Sequence, residues 1–148
     1  MSLEEIINED LKKAMLARDH EKLNALRAVK AAILLLKTEK NAGEITPEIE
    51  MKLLQRLVKQ RKESAEIYKT QNREDLYAEE IVQMKVLETY LPAQLSNEEI
   101  EKTVKQLMEE HEINSMKDMG KLMGLTTKAL AGKADNKVIS EIVRNLLV

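Results

Sequence analysis

Cysteine, phenylalanine and tryptophan are absent from this 148-residue chain, and glycine and proline number only four and two. Without cysteine there is no disulfide scaffold, no thiolate zinc site and no cysteine nucleophile, and the glutamine-hydrolysing cysteine triads are excluded with them. Histidine is scarce too. His20 and His111 lie far apart without patterned carboxylates around them, so no metal site and no cofactor are expected. Each reads as a surface histidine near a helix end, and no catalytic residue is assigned. No apolar run reaches the length of a membrane span and no signal-peptide pattern occurs, so a soluble, cytoplasmic protein with no membrane partner is expected.

What the chain does contain is helix formers. Apolar residues make up 43% but aromatics only 2%, so the core must be Leu, Ile, Val, Ala and Met, which suits helices better than a sheet. The length allows one ordinary domain or two small ones. A net charge of −2 argues against a general DNA-coating surface and turns attention to local patches.

Ser2 with Glu5 forms a capping-box pattern, and Leu3, Ile6, Ile7, Leu11, Ala14 and Met15 keep helical spacing to about Arg18. A second helix runs from Leu23 towards Asn41-Ala42-Gly43, where glycine is expected to stop it. Thr46-Pro47 is a cap followed by proline at the first helical position, opening a third helix with Ile49, Leu53, Leu54, Leu57, Val58, Ala65 and Tyr68 on one side. Asn72 or an adjacent residue caps a fourth. Pro92 then interrupts the pattern, and Ser96 with Glu99 repeats the capping box. The expected fold class is all-α: a four-helix bundle-like N-terminal part over residues 1–91, then a small three-helix tail domain over 92–148.

Two groups of residues stand out. Three of the four glycines, Gly120, Gly124 and Gly132, fall among lysines between Lys117 and Asp135. If Met116 to Leu130 is one helix started by Ser115, then Lys117, Gly120, Lys121, Gly124 and Lys128 share a stripe opposite Met116, Met119, Met123 and Leu130. Glycine then thins the charged face, leaving backbone open between ammonium groups, where a phosphate-bearing partner could come close. Gly132 reads as the C′ residue of that helix and Asp135 as the cap of the next, with Lys133 in the turn. The plainer alternative is that glycines four apart allow close helix packing and the lysines serve solubility.

The second group is Arg27, Lys30 and Arg61, cations that fall on apolar stripes. Each should meet a carboxylate such as Glu66, Glu80 or Glu88 in a salt-bridge network, or line an anion-binding cleft. Around Arg61, residues 51–73 hold seven cations against two carboxylates.

Five segments, Arg27-Ala28-Val29-Lys30, Lys59-Gln60-Arg61-Lys62-Glu63-Ser64, Tyr90-Leu91-Pro92-Ala93-Gln94-Leu95, Asp118-Met119-Gly120-Lys121-Leu122-Met123-Gly124 and Gly132-Lys133-Ala134-Asp135, together resemble the YqeY family over the whole chain. The second half is also similar to the tail domain of the B subunit of the glutamine-dependent aminoacyl-tRNA amidotransferase. The resemblance implies an all-α protein. Because that tail engages the body of the tRNA, it also implies RNA contact at Lys117, Gly120, Lys121, Gly124, Lys128 and Lys133.

It does not imply catalysis, since glutamine hydrolysis and amide transfer reside in other domains of those enzymes. The expected function is a tRNA-binding or tRNA-handling accessory protein, amidotransferase-like by family label. Its partners would be tRNA or another structured RNA, together with a tRNA-metabolism enzyme. A carbon-nitrogen ligase with glutamine as amido-N-donor and a protein-protein adaptor are the alternatives.

Overall fold

The computed structural model describes residues 1–39 and 43–148, and among these every regular element is helical. The chain divides into two compact units, Met1–Leu91 and Pro92–Val148.

The first unit holds α1 (Leu3–Ala17), α2 (His20–Thr38), α3 (Pro47–Thr70) and α4 (Glu74–Glu88). The Ser2 hydroxyl accepts from the Glu5 N–H while the Glu5 carboxylate accepts from the Ser2 N–H, so two otherwise unpaired donors are satisfied at the start of α1. Arg18 takes the left-handed region at φ 55° and ends that helix. Asp19 then caps α2 by accepting from the Lys22 N–H at 3.1 Å. So short a turn makes α1 and α2 an antiparallel hairpin.

At α3 the Thr46 hydroxyl accepts from the Ile49 N–H, with Pro47 at the first helical position. The cap of α4 is Arg73, and it makes no side-chain cap hydrogen bond. Asn72 instead takes φ 57°, a conformation asparagine tolerates better than most residues. The expected glycine stop of α2 is not where the helix ends: it finishes at Thr38, with Glu39 already extended. Asn41 and Ala42 lie outside the described residues.

The apolar periodicity becomes one core, in which Ile7, Leu23, Leu26, Val29, Ile33, Leu53, Leu54 and Leu87 are buried. Burying each such side chain is worth about 1.5–3 kcal/mol before conformational entropy is set against it. In this core α1 packs on α2, α2 on α4, and α4 on α3. Polar ties also cross the chain over long separations. Glu50 in the first turn of α3 accepts from the Leu3 N–H at 2.5 Å, and the Tyr90 hydroxyl donates to Asp10 Oδ2 at 2.5 Å. Burial first, and then the bonded and charged Asp10, push the Tyr90 phenol well above its ordinary range.

The second unit holds α5 (Asn97–Glu110), α6 (Met119–Ala129) and α7 (Asn136–Leu147), which pack pairwise. Ser96 and Glu99 form the capping box of α5, and Asp135 accepts from the Lys137 N–H to cap α7. The expected single helix from Met116 is corrected. Met116–Asp118 form a 3-10 turn, and neither Ser115 nor Asp118 makes a side-chain cap hydrogen bond. Such tightened turns are common at helix starts.

The core gathers Ile100, Val104, Ile113, Leu122, Leu130, Ile139, Val143 and Leu147. Thr126 is fully buried on the inner face of α6, and its hydroxyl has no hydrogen-bond partner among the described residues. No described helix is long and apolar enough to cross a membrane.

Candidate nucleic-acid interface

The inner face of α6 is set by Leu122 and Thr126, continued by Leu130 just past its end, and by the partly buried Met119, Met123 and Leu125. At 100° per residue, the opposite face carries Gly120, Lys121, Gly124 and Lys128, all exposed. Lys117 is exposed on the 3-10 turn ahead of the helix, and Lys133 is exposed in the turn beyond it. None of these four lysines has an ion-pair partner among the described residues.

The two helical glycines stand in open space. A Cβ built on Gly120 or Gly124 meets no atom within 4 Å, and neither has a left-handed backbone. The fold therefore uses their smallness neither for a neighbouring helix nor for an unusual φ. In a helix each costs up to about 1 kcal/mol relative to alanine. What they create is backbone uncovered by side chain among Lys117, Lys121 and Lys128, with Gly120 between the first two and Gly124 between the last two. A polyanion can approach such a face more closely than an ordinary helix surface.

Gly132 is a different case. It is buried, takes φ 76°, and lies one residue farther on than a C′ position, because Leu130 is the C-cap. The Lys133 N–H donates to the Leu130 carbonyl at 2.9 Å, so Gly132 occupies the third position of a turn that requires positive φ there.

That turn is held from outside by a residue that sequence reasoning did not single out. The Gln94 side-chain amide donates to the carbonyls of Pro92 and Gly132, at 2.8 Å each, and the Leu95 N–H donates to the Lys133 carbonyl at 3.0 Å. The Pro92-Ala93-Gln94-Leu95 segment and the Gly132-Lys133-Ala134-Asp135 segment are thus two sides of one joint. It fixes the backbone that carries Lys133. The sequence signal for it is that both segments are among the five that resemble the YqeY family.

Arg27, Lys30 and Arg61 meet different surroundings. Arg61 bonds Glu80 at 3.2 and 3.4 Å, with the two side chains 29% and 15% exposed. Arg27 is exposed and Lys30 half-buried, and neither has an ion-pair partner among the described residues. His20 and His111 are both exposed, at the first position of α2 and the C-cap of α5.

The fold and the α6 surface define a class: an all-helical protein with two packed hairpins in one unit and a three-helix tail bearing an open cationic helix face. The chain belongs to the YqeY family; residues 4–147 match the model of the Yqey-like protein. It is 30% identical over 143 residues to the Altered inheritance of mitochondria protein 41, mitochondrial, of Pyrenophora tritici-repentis, covering 93% of this chain and 77% of that protein. A protein of the same name from Vanderwaltozyma polyspora is 27% identical over the same shares, and one from Kluyveromyces lactis is 31% identical over 69% of this chain and 56% of its own length.

These names overturn the cytoplasmic expectation, since all three relatives are named as mitochondrial proteins. A missing apolar run speaks to membrane spanning and is silent on compartment.

Proposed function

We propose that this YqeY-family protein is an accessory protein, non-catalytic by itself, that binds or handles tRNA through the Lys117 to Lys133 face of its tail unit. The observation that carries the reading is the pair of exposed glycines on α6, which lower helix propensity and beside which an added Cβ would meet no neighbouring group of the described residues within 4 Å. Phosphates are the chemistry this face suits, because lysines flank open backbone and backbone contacts position a strand without reading its bases.

Folded RNA suits it better than single strands. Unstacked bases are ordinarily held on aromatic platforms, and the chain's three tyrosines, Tyr68, Tyr77 and Tyr90, all precede the tail unit. With three to five phosphate contacts, the log-log salt slope of binding is about −2 to −5.

The test is the affinity of the full chain for unfractionated tRNA at several salt concentrations, comparing wild type with Lys121→Glu/Lys128→Glu. Both lysines are exposed, so the urea midpoint stays where it was while affinity falls at least tenfold, about 1.4 kcal/mol. Equal affinity in the folded double variant rejects the site.

A further inference from the structure

We infer that the first unit carries a second RNA-contacting surface on α3, formed by Lys52, Arg56, Lys59 and Lys62. The inference rests on the reading of α6 as an RNA face and extends it to a two-point grip.

The four positions step by four, three and three, so they share one side of the helix and span about 15 Å of its length. All four side chains are exposed. From Lys52 to Lys62 the chain has five cations and no carboxylate. The structure removes Arg61 from this surface by pairing it with Glu80, and removes Arg73 by pairing it with Asp75. The others stay outward. Arg56 and Lys62 have no ion-pair partner among the described residues, and Lys52 reaches only Glu48, at 3.6 Å, with both side chains more than 70% exposed.

A surface kept only for solubility mixes signs, as α5 does where Lys105 meets Glu101 at 3.1 Å. Between Lys52 and Lys62 the charged neighbours at three and four residues are all cations, which destabilise an isolated helix, and carboxylates return to this side only at its two ends, with Glu48 before it and Glu63 and Glu66 after it. A polyanion laid along the face relieves that repulsion.

Between Lys52 and Lys62 the face is polar. The apolar residues of that stretch, Leu53, Leu54, Leu57 and Val58, turn into or against the core, and the exposed Ile49 and Ile67 lie beyond its two ends, too few and too far apart to form the continuous apolar stripe a lipid surface takes. A phosphodiester backbone fits this surface, and because both units belong to one chain, the second contact forms at high effective concentration once the first is made.

The test compares the full-length wild type with two double variants, Arg56→Gln/Lys62→Gln on α3 and Lys121→Gln/Lys128→Gln on α6, binding unfractionated tRNA from low to moderate salt. Unchanged thermal midpoints serve as the folding control. The expected result is that each pair weakens binding about tenfold or more at low salt and flattens the log-log slope by about 1.5–2. If the α6 pair weakens binding and the α3 pair leaves affinity and slope untouched, the second surface is overturned and the tail reading stands. If only the α3 pair matters, the two-point grip is wrong and the proposed tail site fails with it. Loss of binding to phosphatidylglycerol vesicles without loss of tRNA binding in the α3 variant assigns the face to lipid and also overturns the inference.

Discussion

Replacing Gly120 and Gly124 by alanine should strengthen the fold and weaken RNA binding at once. Gly124 lies in the interior of α6, where alanine is worth about 1 kcal/mol, and Gly120 lies in its first turn, where about half of that applies. A Cβ at either site meets nothing within 4 Å, so no steric term opposes the gain. The double variant should therefore be about 1.5 kcal/mol more stable, roughly tenfold in the unfolding equilibrium. Urea unfolding followed by far-ultraviolet circular dichroism reads this directly, since the chain has no tryptophan to report by fluorescence. The same methyl groups hold a phosphate backbone away from the helix, and losing about 1 kcal/mol of contact lowers tRNA affinity roughly fivefold with both lysines intact. A double variant that is less stable than wild type would mean the glycines serve the fold, and the argument from their open space would be refuted. Greater stability with unchanged RNA affinity would refute the contact argument alone.

Other residues make independent predictions. Thr126→Val exchanges a buried hydroxyl that has no partner for a methyl group of similar size, so the urea midpoint should rise, by about 1 kcal/mol in stability; a fall would show that the hydroxyl is satisfied in solution. Tyr90 gives a pH signature. Its phenol is held above the ordinary value of about 10, so the stability it contributes is complete below pH 10 and is lost as pH rises, because the unfolded chain ionises first. Wild type should lose stability more steeply between pH 9 and 11 than Tyr90→Phe, and equal slopes in the two would show that burial and Asp10 together do not hold the phenol above its ordinary value.

Most helix starts with local chemistry were legible, Asp19 capping α2 through the Lys22 N–H being the one passed over. Ser2 with Glu5, Thr46 with Pro47, Ser96 with Glu99 and Asp135 all act as caps through groups within three residues of one another. The start of α6 misled because Ser115 and Asp118 have the spacing of a cap, whereas the backbone tightens into a 3-10 turn. Contacts between distant residues left no local trace. Gln94 reaches Gly132 across 38 positions, and Tyr90 reaches Asp10 across 80. Arg61 is intermediate. Its position on an apolar stripe required a partner, and Glu80 was among the carboxylates that periodicity offered, but only the packing of α3 on α4 selects it. Spacing alone placed Gly120, Gly124, Lys121 and Lys128 on one side of a helix, yet a packing groove and an open face have the same periodicity. Telling them apart takes neighbouring atoms, and among the described residues no group from outside the helix lies within 4 Å of a Cβ added at either glycine.

The most direct measurement is ultraviolet crosslinking of the full-length chain in cells, with identification of both the attached RNA and the crosslinked peptide. tRNA attached to peptides containing Lys117 to Lys133 is the predicted result. An absence of tRNA, or crosslinks that all map outside the tail unit, would contradict the account.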